Sequence, residues 1–261
     1  MKLFDSHAHY NSEKFLADIN RRDQLLCDLF ENDIEYILNA SCDLDDSLES
    51  IKLAEKYPGM YAAVGIHPHE TEKYDYSEEN AVLDRIAELL KHPKAVAMGE
   101  MGLDFHYDFS DRDHQFFWFE KQMALAHSIN VPVIIHDREA HGPTLDMLKK
   151  YKGTRGVLHC YSGSAEMADE FMKLGYYISF TGVVTYKNAN SLLRALEVVP
   201  LDRILVETDC PYLAPVPYRS KTNNSGYMIE TVKKMAEIKG VDVETIINAT
   251  KNNAKELFGI Q

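Results

Sequence analysis

Leu3-Phe4-Asp5-Ser6-His7-Ala8-His9 opens the chain and decides how the rest of it is read. Leu3 and Phe4 begin a short apolar run, and two histidines follow with one small residue between them. Side chains alternate faces along a strand, so His7 and His9 project together from the end of a first strand. Two imidazoles side by side suit a transition metal. A His-x-His alone is more often a pair of solvated or core histidines, so the reading depends on what the other elements place beside it.

Strand-like and helix-like patterns alternate outward from that stretch. Leu25, Leu26, Leu29 and Phe30 fall at helical spacing, and Ile34–Ala40 reads as a second strand. Leu48, Ile51, Ala54 and Tyr57 form the next helical face, broken by Pro58-Gly59 before a third strand at Met60–Ile66. The stripe Val82, Leu83, Ile86, Leu89 and Leu90 stops before Pro93, and Ala95–Gly99 is the fourth strand. Ser110, with Asp113 three residues on, reads as the N-cap of a helix presenting Phe116, Phe119, Met123 and Ala126. Val133–Ile135, Gly156–Leu158, Tyr176–Phe180 and Ile204–Glu207 are the remaining strands, each followed by an apolar helical stripe. Eight short strands, nearly continuously apolar and alternating with helices, predict a single-domain (β/α)₈ TIM barrel over residues 1–261. No linker, low-complexity tract or short-period repeat interrupts it.

Composition narrows the function classes. Hydrophobic residues make up 45% and charged residues 26%, as in an ordinary globular protein with a large core. Asp5 and His7 interrupt any apolar region near the start, and no run reaches membrane-spanning length, so neither a signal peptide nor a membrane span is expected. Cys27, Cys42, Cys160 and Cys210 show no paired spacing, which fits a reduced, cytoplasmic chain, expected to be a monomer. Lys and Arg total 28 against 41 for Asp and Glu, a net charge of −13. That argues against broad non-specific binding to nucleic acid or anionic membrane, yet leaves room for a deep cationic site.

In such barrels chemistry sits where strands run into the following loops. Strand one ends in His7 and His9, strand three in His67 and His69, and strand four in Glu100. Strand five ends in His136, strand six in His159, and strand eight in Glu207 and Asp209. Any one of these could be a structural hydrogen bond. Several histidines and carboxylates on one rim are costly unless a cation compensates them. His7, His9, Glu100, His136, His159 and Asp209 are too many for one catalytic metal and suit two divalent ions sharing a carboxylate. Glu100 is the expected bridge, with His7, His9 and Asp209 on one ion and His136 and His159 on the other. Such a pair activates a water and clamps the attacked and leaving oxygens of a phosphodiester, with Asp209 accepting the water's proton. Zn²⁺ or Mn²⁺ suits the nitrogen-rich set, and Mg²⁺ could serve with phosphate oxygens completing its shell. Glu207, one step deeper than Asp209, reads as an orienter of a ligand. Alternation points Cys160 and Cys210 away from the site, as core cysteines. His106, His114, His127 and His141 fall on loops or helices, His92 at a helix terminus. His67 and His69, flanking Pro68, read equally as substrate contacts or loop structure.

With these residues in place the chain resembles the TatD family of metal-dependent deoxyribonucleases, within the amidohydrolase-like barrels. The match runs nearly end to end: Asp5-Ser6-His7-Ala8-His9, Gly65-Ile66-His67-Pro68-His69, Gly99-Glu100-Met101-Gly102-Leu103-Asp104, Pro132-Val133-Ile134-Ile135-His136, His159-Cys160-Tyr161-Ser162-Gly163 and Glu207-Thr208-Asp209-Cys210-Pro211. The resemblance implies a two-metal hydrolase acting on DNA, commonly as a 3′–5′ exonuclease, with the six ligands named above. One departure stands out: where the family usually carries Arg-Asn-Glu-Pro, this chain reads Thr222-Asn223-Asn224-Ser225. Arg219 and Lys221 lie just upstream and could hold a phosphate.

Phe105, Tyr107, Tyr161, Tyr186 and Tyr212, with Arg112, Arg138, Lys187, Arg219 and Lys221, fall near the expected mouth. Aromatic faces stack bases and cations meet phosphates, as a single-stranded DNA end requires. His67, His69, Tyr161, Tyr212, Arg219 and Lys221 are therefore the candidate substrate contacts. A metal-dependent hydrolase of a carbonyl centre (amide, lactone or D-aminoacyl-tRNA ester) would use the same ligands. A non-catalytic binding barrel would be expected to lack one of them, and none is missing.

Overall fold

Phe4, Leu38, Ala63, Ala97, Ile134, Val157, Tyr177 and Leu205 touch one another as one buried layer, with one residue from each of eight strands. The structure, a computed structural model, describes residues 1–261. The strands are β1 (Leu3–Ala8), β2 (Ile34–Asn39), β3 (Met60–Val64), β4 (Ala95–Asp104), β5 (Val133–Arg138), β6 (Gly156–Leu158), β7 (Tyr177–Phe180) and β8 (Ile204–Val206). All pair in parallel and in chain order. The seam between first and last is joined by Asp209 N donating to His7 O (2.9 Å) and His9 N donating to Cys210 O (2.8 Å). The residues that close the barrel are thus those expected to carry its chemistry.

Helices α1 (Glu13–Leu16), α2 (Ile19–Asn32), α3 (Leu44–Lys56), α4 (Glu79–Leu89), α5 (Arg112–Ile129), α6 (His141–Lys150), α7 (Ala165–Lys173) and α8 (Asn190–Val198) follow β1 to β7. After β8 come α9 (Met228–Lys239) and α10 (Val243–Phe258). The outward strand residues, such as Ile37, Met98, Ile135, Ile178 and Val206, join the helices' apolar faces in the larger core. Ala254, Leu257, Phe258 and Ile260 pack on the inner layer, so the end of α10 plugs one end of the barrel. No helix is long and apolar enough to cross a membrane.

The (β/α)₈ TIM-barrel expectation stands, and four local readings change. β4 runs past Gly99 to Asp104, and β5 past Ile135 to Arg138. The N-cap of α5 is Asp111, whose side chain accepts from Asp113 N, while Ser110 donates to His69 O (2.9 Å). Cys210 is buried, but Cys160 is only half-buried, its Sγ 3.8 Å from Thr181 Oγ1. Extended alternation fails at these two cysteines because Cys160 and Asp209 take φ of 44° and 56°.

Alternation also needs help at the site. Phe4 and Ala97 point inward, so an unbroken period of two would turn His7 and Glu100 toward the helices. Register shifts between Asp5 and Ala8 on β1, and between Met98 and Met101 on β4, change the phase. Irregularities of this kind re-aim side chains, here into the barrel mouth.

Candidate metal centre

Glu100 sits at the centre of the cluster, almost wholly buried. Its Oε2 lies 3.2 Å from His7 Nε2 and 3.6 Å from His9 Nε2. Its Oε1 lies 2.7 Å from His136 Nδ1, 2.6 Å from His159 Nε2 and 3.3 Å from His67 Nε2. Asp209 completes the first group, its Oδ1 being 3.3 Å from His9 Nε2 and 3.9 Å from His7 Nε2. One carboxylate therefore faces two sets of imidazoles, one with each oxygen.

Hydrogen bonds behind the rings set which nitrogens are bare. His9 Nδ1 is 3.1 Å from Ala40 O, and a carbonyl can only accept, so Nδ1 carries the proton and Nε2 faces the cluster free. His136 Nε2 is 3.2 Å from Asp104 Oδ2, which leaves its Nδ1 for the cluster. His67 is the opposite case. Its Nδ1 accepts from His69 N (3.1 Å), so in the neutral ring Nε2 carries the proton and points it at Glu100. His67 lies close enough to be grouped with Glu100 and His136 as a possible ligand. The tautomer makes it a donor to Glu100 instead. Burial lowers its pKa to about 3, so it stays neutral at ordinary pH.

Charge is distributed as a cation site requires. Burial would raise Glu100, but His159, His67 and His7 and the His136 hydrogen bond hold it well below the usual carboxylate range. Burial likewise opposes ionisation of Asp209, and the hydrogen bond with His9 holds it low. Burial disfavours charge on His9 and His159, yet Asp209 raises the first and Glu100 the second well above the usual imidazole range. The pocket draws positive charge. His7, His9 and Glu100 form one converging set, and His7, His159 and Asp209 another. His7 and His9 bring their Nε2 atoms within 3.0 Å of each other, and His7 Nδ1, His159 Nδ1 and Glu207 Oε2 are buried without hydrogen-bond partners. Nitrogen-rich donors with two carboxylates, crowded this closely, fit divalent metal ions.

The surrounding residues fall into place less uniformly. Glu207 accepts from Cys160 N (2.6 Å), and its Oε1 stands 3.3 Å from His159 Nδ1. His69 Nε2 bonds Asp104 Oδ2 (2.8 Å), the same oxygen that receives His136. Asp104, absent from the candidates named from the sequence, thus fixes the ring of His136 through this contact. A β4 extended to 104 would have shown it, because Asp104 follows Glu100 by an even number of residues. Tyr212 is half-exposed at the rim, its N bonded to Asp209 O, with Lys14 Nζ 5.0 Å from its ring centre. Tyr161, by contrast, is buried, and its hydroxyl donates to Ser164 O (2.6 Å). Arg219 and Lys221 are exposed and lie over the rings of Tyr186 and Tyr218, without a bond to the histidine cluster. Of the other histidines, His106 pairs with Glu139, His141 with Asp137 and His92 with Glu55.

The Thr222–Ser225 departure has a structural account. Asn223, common to both versions, donates to Thr208 O (3.0 Å) and Tyr212 O (2.7 Å), and so ties the loop to the Asp209 segment. Ser225 Oγ donates to Asp5 Oδ2 (2.7 Å), beside Thr208 N and Oγ1 at 2.9 and 2.6 Å. A proline at 225 could supply neither that hydroxyl nor the N–H that Ser225 gives to Tyr10. Thr222 is exposed.

Comparison with known proteins places this arrangement. The family model described as TatD related DNase matches residues 4–259. The chain is 40% identical over 260 residues to the metal-dependent hydrolase YabD of Bacillus subtilis (strain 168), covering 99% of each. It is 32% identical over 265 residues to the 3′-5′ ssDNA/RNA exonuclease TatD of Escherichia fergusonii, again covering 99% of each. The crystal structure of YJJV, a TatD homolog from Escherichia coli K12, superposes with a TM-score of 0.90 at 27% identity, covering 99% of this chain and 98% of that one. With barrel, rim residues and full-length similarity in agreement, the chain belongs to the TatD family of metal-dependent hydrolases.

Proposed function

We propose that this protein is a two-metal nuclease that hydrolyses phosphodiester bonds at single-stranded DNA ends, working 3′ to 5′. The observation that carries the reading is the placement of Glu100, with Oε2 on the His7–His9 side and Oε1 on the His136–His159 side. His7, His9 and Asp209 would hold one Zn²⁺, Mn²⁺ or Mg²⁺ and His136 and His159 the other, with Glu100 common to both. Divalent ions there supply Lewis acidity at a phosphoryl oxygen and lower the pKa of water. The chain's own residues do the rest. Asp209, kept ionised beside His9, accepts the proton of the attacking water. His67 holds Glu100 with its Nε2–H, and Asp104 fixes the ring of His136. The names of relatives such as the ssDNA/RNA exonuclease TatD support nucleic acid as substrate. Half-exposed Tyr212 with Lys14 beside it supports the same reading despite a net charge of −13, because the favourable charge is local.

The test is degradation of 3′- and 5′-labelled single-stranded DNA by metal-stripped protein supplied with Mg²⁺, Mn²⁺ or Zn²⁺. Asp209→Ala, Glu100→Ala, a lactone and a D-aminoacyl ester run alongside. Metal-dependent loss of the 3′ label, abolished in both variants, supports the proposal. Intact DNA with all three ions, together with turnover of a carbonyl substrate, refutes it.

A further inference from the structure

The loop between β4 and α5 exposes two large aromatic rings immediately beside the candidate metal centre. Tyr107 is 47% and Phe109 66% exposed, and the rings stack with centres 5.1 Å apart and planes 15° from parallel. Phe109 meets His69 edge-on at 4.8 Å. His69 in turn shares the Asp104 carboxylate with His136, at 6.0 Å between ring centres. The platform therefore stands one imidazole away from the residues proposed to do the chemistry.

Hydrogen bonds to buried side chains tie the loop down. Tyr107 N and His106 N both donate to Asp104 Oδ1 at 2.9 Å. Ser110 Oγ donates to His69 O, and Gln115 Nε2 donates to Ser110 O (2.9 Å). A buried carboxylate and two buried polar side chains thus hold a loop whose apolar rings remain in water. Packing alone does not explain that, because an aromatic ring gains by burial. The guanidinium of Arg138 lies 4.6 Å from the Tyr107 ring centre, adding a cation where a phosphate would accompany a base.

We infer that Tyr107 and Phe109 form a stacking platform for an unpaired nucleobase next to the scissile bond, which makes the site select single-stranded ends. The inference rests on the proposed nuclease activity and names two specificity-determining residues for it. Stacking accepts any base but demands that its face be free, so a base paired within a duplex cannot use the platform without first unstacking.

The test compares wild type, Phe109→Ala and Phe109→Trp, each metal-loaded, on single-stranded DNA, on the same strand with abasic sites at its 3′ end, and on blunt duplex. Phe109 is exposed, so its removal should leave the fold intact, as circular dichroism and melting would confirm. The expected result for Phe109→Ala is a KM raised roughly 5- to 100-fold on the normal strand, with kcat little changed. The penalty should shrink toward none on the abasic strand, and Phe109→Trp should restore the KM. A Phe109→Ala enzyme with wild-type KM, or with the same loss on abasic and normal strands, overturns the platform and leaves the nuclease assignment standing. A wild-type enzyme that neither binds nor cuts any of the strands overturns both.

Discussion

Gly102→Ala joins fold and site in one substitution. Gly102 lies on β4 opposite His136 on β5, with φ at +150°, a value that side chains with a Cβ rarely adopt. A Cβ built there would stand 1.9 Å from His136 O and 2.8 Å from its carbonyl carbon. Both atoms are backbone, so no side-chain rotation relieves the overlap, and β5 must move away by more than an ångström. Strained backbone at a non-glycine residue costs about 1–3 kcal/mol. Overpacking a close contact adds about 1–3 kcal/mol more. The expected destabilisation is roughly 2–6 kcal/mol, or a fall in Tm of roughly 5–20 °C for a chain of this size. The same movement pulls His136 from Glu100, now 2.7 Å apart, and an ångström of misplacement costs about 100-fold in rate. Melting by circular dichroism reads the first effect, and DNA turnover at a temperature where the variant stays folded reads the second. A variant with wild-type Tm and wild-type turnover would refute the claim that the β4–β5 contact sets the geometry of the centre.

Two further outcomes follow from the ring geometry. His67→Gln should keep its metal, since His67 acts as a donor to Glu100, while activity falls roughly 10- to 100-fold as expected for an orienting partner. Elemental analysis checks the metal, and loss of an ion would make His67 a ligand after all. His141 is raised above its ordinary value by its hydrogen bond to Asp137 at 2.8 Å, with burial opposing. Its contribution is therefore fully present below the unfolded pKa near 6.5 and disappears as pH rises through the higher folded value. His141→Gln should be less stable by about 1 kcal/mol in urea at pH 5.5 and close to wild type at pH 9. A deficit that grows with pH would contradict the sign.

Much of this was legible in the sequence because parallel strands buried on both faces leave apolar runs, and polar residues at their ends stand out against them. His7 with His9, Glu100, His136, His159 and Asp209 all converge as that pattern predicts. The absolute direction of those side chains was not legible. It depends on register shifts in β1 and β4 that no periodicity announces, and on a left-handed Asp209 just past β8. Asp104 was hidden for the same reason, since the shift breaks β4 into what reads as a strand and a loop. Loop aromatics were the least legible. Tyr161 and Tyr107 look alike in sequence, yet one is buried with its hydroxyl bound and the other lies open at the rim. Ser225 could be understood only once it stood beside Asp5, a residue 220 positions away.

The claim on which the account turns is that Glu100 is common to two metal ions. Counting bound Mn²⁺ or Zn²⁺ per chain by elemental analysis, in wild type and in Glu100→Gln, tests it most directly. The account predicts two ions per wild-type chain and fewer than one in the variant, which keeps its fold but gives up the charge that both sets of histidines share. Two ions retained by Glu100→Gln, or only one in the wild type, would contradict it.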